Sequence, residues 1–346
     1  MDQVALASNN DRKELFEQTA VKMGLNPVLL EKDFWVCWIL EKVYSLDDQP
    51  PLIFKGGTSL SKGYGLIQRF SEDVDLAFDR TFFGEAPDLA QLNKMSGKNR
   101  EEYIKRLSSQ CTGHIADNFH PALSATVSKT LTEPFELTIS KDDSQAILFK
   151  FPPSLSPDEY GAAAYIAPSV LLELGSRSDH LPSEVRTIRP YAADHFPEAF
   201  TNPGVDVPTL AATRTFFEKA TLLHQNANRP DFQPRHAERH SRHYHDLFML
   251  NNSPTKKEAL KDIGLLKRVA EHKHAFFRSG WTKYPESATG NLKLIPEPSI
   301  VEMLGKDYDK MNQMLFGEIP AFETIMADLS RLEKEINELA LKKNAG

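Results

Sequence analysis

The sequence predicts an α+β protein, with a mixed sheet in its first part and helices in its second. Three features predict this class. The first 50 residues carry helical periodicity, the stretch to about residue 205 mixes strand and helix patterns, and the remainder reads as helix. We therefore expect two domains, residues 1–205 and residues 206–346, a division that suits a chain of 346 residues.

In the N-terminal part, a helix is predicted from Pro27, a residue that suits a first helical turn, to Tyr44. The prolines Pro50 and Pro51 follow it and break the pattern. Its buried face is formed by apolar side chains at helical spacing: Leu30, Phe34, Cys37 and Trp38. An earlier amphipathic stretch opens at Asp11.

Strands are predicted where short runs are apolar or alternate with period two: Leu52–Lys55, Ser71–Phe78, Phe135–Ile139, Ala146–Phe151 and Pro168–Leu174. Helices are predicted where apolar residues recur at helical spacing: Leu60–Gln68, residues 88–130, Pro208–Asn226, Tyr244–Leu250, Lys256–Phe276 and Phe322–Lys342. Residues 226–242 are polar and interrupted by proline, which indicates a loop or hinge.

Composition excludes several classes of protein. Hydrophobic residues make up 40% of the chain and charged residues 26%, which is typical of a globular protein and excludes wholesale disorder. The longest fully apolar run, Phe34 to Leu40, is too short for a transmembrane helix. The N-terminus is not basic, so no secretory signal is expected. Cys37 and Cys111 are expected to be reduced thiols of a cytoplasmic protein.

Charge is unevenly distributed along the chain. The formal net charge is −7, yet residues 211–283 hold 14 Lys and Arg against 7 Asp and Glu. A basic segment in an acidic chain suits a polyanionic partner such as nucleic acid. A solvated helical surface is the alternative, and the sequence leaves both open.

The strongest chemical signal begins with two glycines between a predicted strand and a predicted helix. Gly56 and Gly57 let the backbone approach a ligand closely. The helix after them directs free N–H groups and the positive end of its dipole toward that ligand. Thr58 and Ser59 add hydroxyl donors. This combination is typical of a phosphate site.

Two aspartates follow on the next predicted strand. Asp73 and Asp75 are two residues apart, so both carboxylates project from one face. Paired carboxylates suit Mg²⁺, which takes one or two of them together with phosphate oxygens. A two-metal site activates an attacking hydroxyl and stabilises leaving pyrophosphate. A structural turn followed by a solvated strand face is the alternative. A further Asp-x-Asp, at Asp307 and Asp309, is in helical context, and we assign it no chemistry.

Together these motifs resemble those of the AbiEii/AbiGii toxin family of nucleotidyltransferases, in the DNA polymerase β-like superfamily. The resemblance covers most of the chain and includes five further segments: Glu31–Trp35, Glu218–Lys219, Arg242–Leu247, Phe276–Trp281 and Asp307–Pro320. It implies a polymerase β-like nucleotidyltransferase domain for residues 1–205, with N-terminal helices. It implies that the helical residues 206–346 complete the nucleotide and acceptor cleft.

The resemblance also assigns roles to residues. It implies nucleotide binding by the glycine motif and metal binding by the aspartates: Gly56, Gly57, Thr58, Ser59, Asp73 and Asp75. Of an Arg-Asp-x-x-Asp-like motif, Arg242 and Asp246 carry over, because the first Asp is His243 here. Lys219 matches a functional lysine, whose ammonium is expected to meet the β- and γ-phosphates and stabilise departing pyrophosphate. A solvated helix lysine is the alternative.

A third carboxylate on a neighbouring strand is common in polymerase β-like enzymes, and Glu173 is the candidate here. It is a lone charge inside an apolar run, where burial without a partner is costly. We expect it to act as a metal ligand or general base. The alternative is an edge-strand residue that faces water.

Several other polar residues flank these motifs. Lys55, Lys62 and Arg69 are candidates to neutralise phosphate, and the sequence does not rank them. Ser71 either starts the strand or is a regulatory site, since a phosphate there would crowd metal and triphosphate. Trp281, with Phe276 and Phe277, forms either hydrophobic core or a platform for a base. A histidine cluster suits phosphate better than Zn²⁺, because no cysteine is near: His236, His240, His243 and His245.

The sequence therefore predicts a metal-dependent nucleotidyltransferase that uses Mg²⁺ or Mn²⁺ and an NTP, and that releases pyrophosphate. The resemblance implies the toxin of a bacterial toxin–antitoxin or abortive-infection system, with a cognate antitoxin as a separate chain. With the basic segment, it makes RNA, at the 3′ end of tRNA, the leading acceptor. The alternatives are a protein hydroxyl as acceptor, or a non-catalytic nucleotide- or RNA-binding module with a degenerate site.

Overall fold

The computed structural model describes residues 1–71, 73–84, 86–162 and 166–345. In chain order, its α-helices are α1 (Asp2–Ala5), α2 (Asn9–Met23), α3 (Pro27–Tyr44), α4 (Gly56–Thr58), α5 (Leu89–Lys94), α6 (Gly97–His114), α7 (His120–Thr130), α8 (Pro157–Ala162), α9 (Tyr191–His195), α10 (Ala212–Ala227), α11 (Pro234–Ala237), α12 (Ser241–Asn251), α13 (Pro254–Lys261), α14 (Gly264–Phe276), α15 (Pro298–Met311) and α16 (Phe322–Ala345). π-Helical turns occupy Ser59–Gly63 and Ile115–Phe119, and 3₁₀ turns occupy Arg80–Phe83, Pro197–Ala199, Tyr284–Ala288 and Asn312–Met314.

The strands are β1 (Leu52–Lys55), β2 (Asp73–Phe78), β3 (Glu136–Ile139), β4 (Ala146–Lys150), β5 (Ser169–Gly175), β6 (Ser183–Ile188) and β7 (Val205–Leu210). Among the described residues they form one seven-stranded sheet in the order β3-β4-β5-β2-β1-β7-β6. β2 runs antiparallel to β1 and parallel to β5, while β4 is antiparallel to both β3 and β5. The sheet is therefore mixed, and the predicted α+β class is confirmed.

One face of the sheet is buried against α3. Trp35 and Trp38 of this helix contact the ring of Phe149 on β4, at centroid distances of 6.0 and 5.9 Å. Phe149 pairs in register with Val170 of β5, and the same face continues across the sheet to Val74 of β2. These side chains are fully buried. The alternating residues of β2 and β5 consequently point to the opposite face of the sheet.

Several predicted elements differ from the structure. The helix expected over Leu60–Gln68 is instead a short helical segment that starts at Gly56 and ends at Gly63. The helix expected from Pro208 starts at Ala212, because residues 205–210 form β7; Pro208 suits a first helical turn and hid this strand. β6 is mostly exposed and offered no apolar signal. Of the predicted strand Ser71–Phe78, residue 72 lies outside the described residues.

Contacts within the chain divide it into two compact units. The first unit comprises Met1–Tyr64, Phe70–Glu85 and Lys105–Thr209; the second comprises Gly65–Arg69, Ala86–Ile104 and Leu210–Gly346. The first unit holds the sheet and α3. The second holds α10 and the helices that follow it, together with two segments from earlier in the chain. The two-domain boundary after residue 205 stays a prediction. No helix among the described residues is long and apolar enough to cross a membrane.

A buried ion pair joins the segment after β1 to α3 within the first unit. The Nζ atom of Lys62 lies 2.7 Å from Oδ1 of Asp33, with side chains only 5% and 3% exposed. The Tyr191 ring lies under the same ammonium at 3.4 Å, and the Tyr191 N–H donates to the other Asp33 oxygen. Burial opposes the charge of Lys62, but the Asp33 carboxylate raises its pKa above the usual value. Lys62, which was predicted to neutralise phosphate, is thus buried in an ion pair with Asp33.

We expect Lys62→Met to lower the free energy of unfolding by about 3–5 kcal/mol, because it leaves the Asp33 carboxylate buried without its counter-charge. Urea denaturation followed by circular dichroism measures this loss. Lys55→Met is the matched control: its half-buried ammonium pairs with Asp75 at 3.5 Å, and the cost should be below about 1 kcal/mol. Unchanged stability of Lys62→Met together with weaker nucleotide binding would favour the phosphate role.

Candidate active site

A row of charged side chains crosses three neighbouring strands on the face of the sheet away from α3. Lys55 on β1 pairs in register with Asp75 on β2, and Asp75 pairs with Glu173 on β5. Asp73 lies two residues before Asp75 and projects from the same face. The structure therefore brings together the two predicted metal carboxylates, the predicted third carboxylate and one predicted phosphate lysine.

The alternation of side chains along β2 and β5 places this row on one face of the sheet. Val74, which lies between the two aspartates, and Leu76, which follows them, are buried. Leu172 and Leu174, on either side of Glu173, are buried as well. These apolar residues fix the register of β2 and β5, since a slip by one residue would bury the carboxylates. The sequence patterns of both strands thus place the acids where solvent and a ligand reach them.

Like charge dominates the electrostatics of the row. Partial burial, and then the carboxylates of Asp75 and Asp73, raise the pKa of Glu173 to about 7. The Nζ atom of Lys55 lies 3.5 Å from Oδ1 of Asp75 and offsets part of this repulsion. Glu173 was predicted as a metal ligand or base, with an edge-strand residue as the alternative; it is an exposed residue of β5, which is an interior strand of the sheet. Its environment favours the uptake of positive charge, as a proton or as a cation.

The glycine turn contacts the aspartates closely. Gly56 has a φ of +77°, in the left-handed region that favours glycine, and a Cβ atom there would overlap the carboxylate of Asp75. The turn follows β1 directly, and β1 is antiparallel to β2, so the end of β1 meets the start of β2. The predicted close approach at this glycine is therefore made to a catalytic candidate of the chain itself.

The hydroxyl groups of the turn donate to backbone carbonyls. Thr58 is buried, and its Oγ1 donates to the backbone carbonyl of Asp73. Ser59 is buried as well, and its Oγ donates to the carbonyl of Gly56 at 2.9 Å. The Thr58 bond ties the turn to β2 beside Asp73, and the Ser59 bond closes the turn on itself, so both hydroxyl protons are directed at backbone carbonyls. Ser71 is half-buried just before β2.

The donor set of the row is that of a hard cation. Within the described ranges, no three His, Cys, Asp or Glu side chains already stand in metal-binding geometry. Mg²⁺ does not require such a cage, because it binds one or two carboxylates and completes its octahedron with water and phosphate oxygens. Two aspartates on one strand, with a third carboxylate beside them, fit this mode. They fit Zn²⁺ poorly, since it prefers nitrogen and sulfur ligands.

The second unit contains its own cluster of predicted site residues. Asp246 on α12 is fully buried, and it binds Arg69 through two hydrogen bonds, Nε to Oδ1 at 2.6 Å and a terminal nitrogen to Oδ2 at 2.9 Å. Lys219 on α10 donates to Oδ2 at 2.8 Å. Burial opposes the charge of Asp246, but Arg69 and Lys219 hold the pKa of its carboxyl well below the usual range. One carboxylate thus serves two buried cations.

His243 completes this cluster. Its Nδ1 lies 2.9 Å from the Nζ atom of Lys219. Burial, followed by the charges of Lys219 and Arg242, holds the pKa of His243 well below its usual value. Burial also lowers the pKa of Lys219, with Arg69 and Arg242 acting in the same direction. Arg242 itself is half-buried on α12. The predicted lysine is therefore a member of a buried network with Asp246 and Arg69, and His243, a member of the predicted histidine cluster, contacts it.

The other predicted candidates are the remaining histidines and the aromatic residues near Trp281. Within the part of the chain that the structure describes, the four histidines form no metal-binding group. Nδ1 of His236 accepts from the N–H of Gln233, and His245 is buried. Phe276 is buried and Phe277 is 41% exposed, while the guanidinium of Arg229 lies 5.1 Å from the centre of the Trp281 ring.

Comparison with known proteins decides the family. The model of the nucleotidyl transferase AbiEii toxins of type IV toxin–antitoxin systems matches residues 38–328, which include both clusters. The chain belongs to the AbiEii family. Its members are transferases, and this chain is accordingly a nucleotidyltransferase toxin of a type IV toxin–antitoxin system.

Curated proteins and solved structures were also compared with the chain. No curated protein matches the chain. Among solved structures, the chain is similar to MenT4, a nucleotidyltransferase toxin of Mycobacterium tuberculosis H37Rv, with a TM-score of 0.46 and 15% identity. The alignment covers 95% of this chain and 97% of that one.

We expect Gly56→Ala to reduce nucleotidyl transfer by about 100-fold or more, because the new methyl group would displace the Asp75 carboxylate and the residue would be strained. Initial rates at saturating NTP measure the effect. Two matched controls separate its causes. Gly65→Ala tests strain alone, since its φ is +62° with nothing within 4 Å, and Gly63→Ala meets only ordinary contacts. If all three variants were equally active, Asp75 would not need this close approach.

Proposed function

We propose that this AbiEii-family enzyme transfers a nucleoside monophosphate from an NTP to the 3′ end of an RNA, with tRNA as the leading acceptor, in a reaction that depends on Mg²⁺ or Mn²⁺. The observation that carries the proposal is the row of Asp73, Asp75 and Glu173 on one open face of the sheet, beside the glycine turn. Carboxylates that repel one another in this way are suited to a divalent cation and the phosphates it brings.

In the proposed reaction, the acceptor's terminal hydroxyl oxygen attacks the α-phosphorus of the NTP. A new P–O bond forms, the bond from the α-phosphorus to the bridging oxygen breaks, and pyrophosphate leaves with that bond's electron pair. The hydroxyl proton passes to a base. A divalent cation would supply charge neutralisation and polarise the phosphate oxygens. Asp73 and Asp75 are the ligands that would hold it.

The remaining residues of the first unit have supporting roles in this proposal. Glu173 is the third ligand or the base, and its raised pKa suits a group that accepts a proton near neutral pH. Lys55 balances the negative charge of the row before substrate binds. Gly56 and Gly57 bring backbone near the phosphates, while Thr58 and Ser59 hold the turn in place.

Positive charge in the second unit supports a phosphate-bearing substrate. Lys219 and Arg69 both bind the carboxylate of Asp246, and Arg242 lies near them. Lysine and arginine side chains are the groups that bind phosphate in proteins. The excess of Lys and Arg over residues 211–283 favours a polyanionic acceptor, which is why RNA is proposed ahead of a protein hydroxyl. A cognate antitoxin follows from family membership.

We expect Asp73→Asn to lower transfer by about 10³-fold or more, because it removes a charged ligand of the cation. Purified protein is incubated with total bacterial RNA, Mg²⁺ and each α-³²P-labelled NTP in turn, and the products are resolved on a denaturing gel. Native protein should label RNA in the tRNA range, and EDTA should abolish the label. Asp309→Asn is the matched control, as it alters an exposed aspartate of the other Asp-x-Asp.

Each outcome of this assay separates the hypotheses. A labelled protein band in place of RNA would make a protein hydroxyl the acceptor. Equal labelling by native protein and Asp73→Asn would exclude the carboxylate row as the catalytic site. NTP binding without any labelled product in total RNA or lysate would favour a non-catalytic binding module.

A further inference from the structure

β6 is an edge strand of the sheet, and side chains on both of its faces reach solvent. Among the described residues it ends the strand order beyond β7, and Ser183, Glu184, Val185 and Thr187 are exposed. Val185 is an apolar residue that is 64% exposed. An edge strand presents backbone N–H and C=O groups that can pair with another strand. β6 is therefore a surface to which a further strand can be added.

The opposite edge of the sheet, β3, is covered by a helix. Nε2 of His120 on α7 lies 3.0 Å from the backbone carbonyl oxygen of Leu137 on β3. Glu136 on β3 also forms an ion pair with Lys150 on β4, at 2.7 Å. Backbone and charge at that edge thus bind partners within the chain. Of the two edges in the described part of the sheet, β6 is consequently the more accessible to another strand.

The charged side chains of β6 are held in place on one of its faces. Glu184 and Arg186 are two residues apart and project to the same side of the strand. They form an ion pair at 3.1 Å. The Tyr64 hydroxyl donates to Glu184 at 2.8 Å, and the Arg186 guanidinium lies 4.3 Å from the centre of the Tyr64 ring. Because these contacts already restrict both side chains, little side-chain entropy is lost when a partner binds them.

The sequence of β6 is complementary to itself in the antiparallel direction. When two copies pair about a two-fold axis at Val185, Glu184 of each copy lies opposite Arg186 of the other. Ser183 lies opposite Thr187 in the same register, and the two Val185 side chains meet on the other face. Opposite charges and Ser–Thr pairs at directly opposed positions stabilise a sheet. Each side chain of this segment therefore has a suitable partner.

Other registers of the same strand are unfavourable. A two-fold axis at Glu184 would place two carboxylates opposite each other, and an axis at Arg186 would do the same with two guanidinium groups. Parallel pairing in register would place like charges side by side along the whole strand. The charge pattern of β6 thus favours one antiparallel register, centred on Val185.

We propose that β6 is a dimerisation edge, to which a second copy of this chain adds its own β6 in antiparallel register about Val185. Two Glu184 carboxylates and two Arg186 guanidinium groups then alternate in sign across the interface. Backbone hydrogen bonds join the sheets of the two copies into one continuous sheet. Because the paired segment is short, the dimer is weak and forms at high protein concentration.

Charge reversals on β6 test this register directly. Glu184→Arg makes both charged positions of the strand basic, and Arg186→Glu makes both acidic. In a symmetric dimer of either variant, like charges oppose each other twice, so its dissociation constant should rise about tenfold or more. An equimolar mixture of the two variants restores every opposite-charge pair between copies, and a mixed dimer should form with near-native affinity. Analytical ultracentrifugation over a range of concentrations, with one variant fluorescently labelled, measures each species.

The mixture separates contact between copies from contact within one copy. Each reversal also breaks the ion pair inside its own chain, and mixing does not repair that loss. Glu136→Arg is the matched control, since it reverses an exposed carboxylate at the other edge of the sheet and should leave the dimer unchanged. Circular dichroism verifies that each variant is folded. If a reversal fails to fold, Val185→Arg replaces it, because it changes an exposed side chain and opposes two positive charges at the axis.

Three results would overturn the inference. Native protein that stays a monomer at all concentrations would show that the charges of β6 only protect the edge from pairing. A native-like dimer of Glu184→Arg, Arg186→Glu or Val185→Arg would place the contact elsewhere on the chain. Failure of the mixed variants to associate, while native protein dimerises, would exclude the register about Val185.

Discussion

Repulsion among three carboxylates is the constraint on which the first unit depends. Asp73, Asp75 and Glu173 are held side by side by strands whose other faces are buried, so the acids cannot move apart without breaking the sheet. Such an arrangement is costly in the free protein and becomes favourable when a cation and phosphates arrive. Gly56 passes close to Asp75, and the absence of a Cβ atom at this position leaves the space that the carboxylate occupies.

The second unit has a buried ionic cluster of its own. Arg69 and Lys219 both bind the carboxylate of Asp246, and His243 lies 2.9 Å from the ammonium of Lys219. Because Asp246 is fully buried, its removal would take this counter-charge away from two buried cations, which is costly. The cluster therefore constrains α10 and α12 in the second unit, as the carboxylate row constrains the strands of the first.

Much of this could be predicted from the sequence, for physical reasons that can be named. The alternation of Asp73, Val74 and Asp75 fixed a strand face, and an apolar run with one acid placed Glu173 on a neighbouring strand. Local patterns of this kind depend only on a period of two. The glycine pair between a strand and a helix likewise predicted the turn, although its hydroxyls turned out to hold backbone.

What the sequence could not predict depends on distant partners. Lys62 looks like a phosphate ligand until Asp33, on another element, is found beside it. Arg69 and Asp246 are 177 positions apart, and no local pattern pairs them. β6 is short and mostly exposed, so it lacks the apolar signal on which strand prediction depends. In each case the missing information is tertiary contact, which outweighs local propensity.

Mn²⁺ binding is the most direct test of the carboxylate row as the metal site. Electron paramagnetic resonance measures it for native protein and for Asp75→Asn, with and without a non-hydrolysable NTP analogue. We expect weak Mn²⁺ binding by native protein alone, much tighter binding when the analogue supplies phosphate oxygens, and loss of both in the Asp75→Asn variant. Equal Mn²⁺ binding by the two proteins would contradict the claim that the carboxylate row is the metal site.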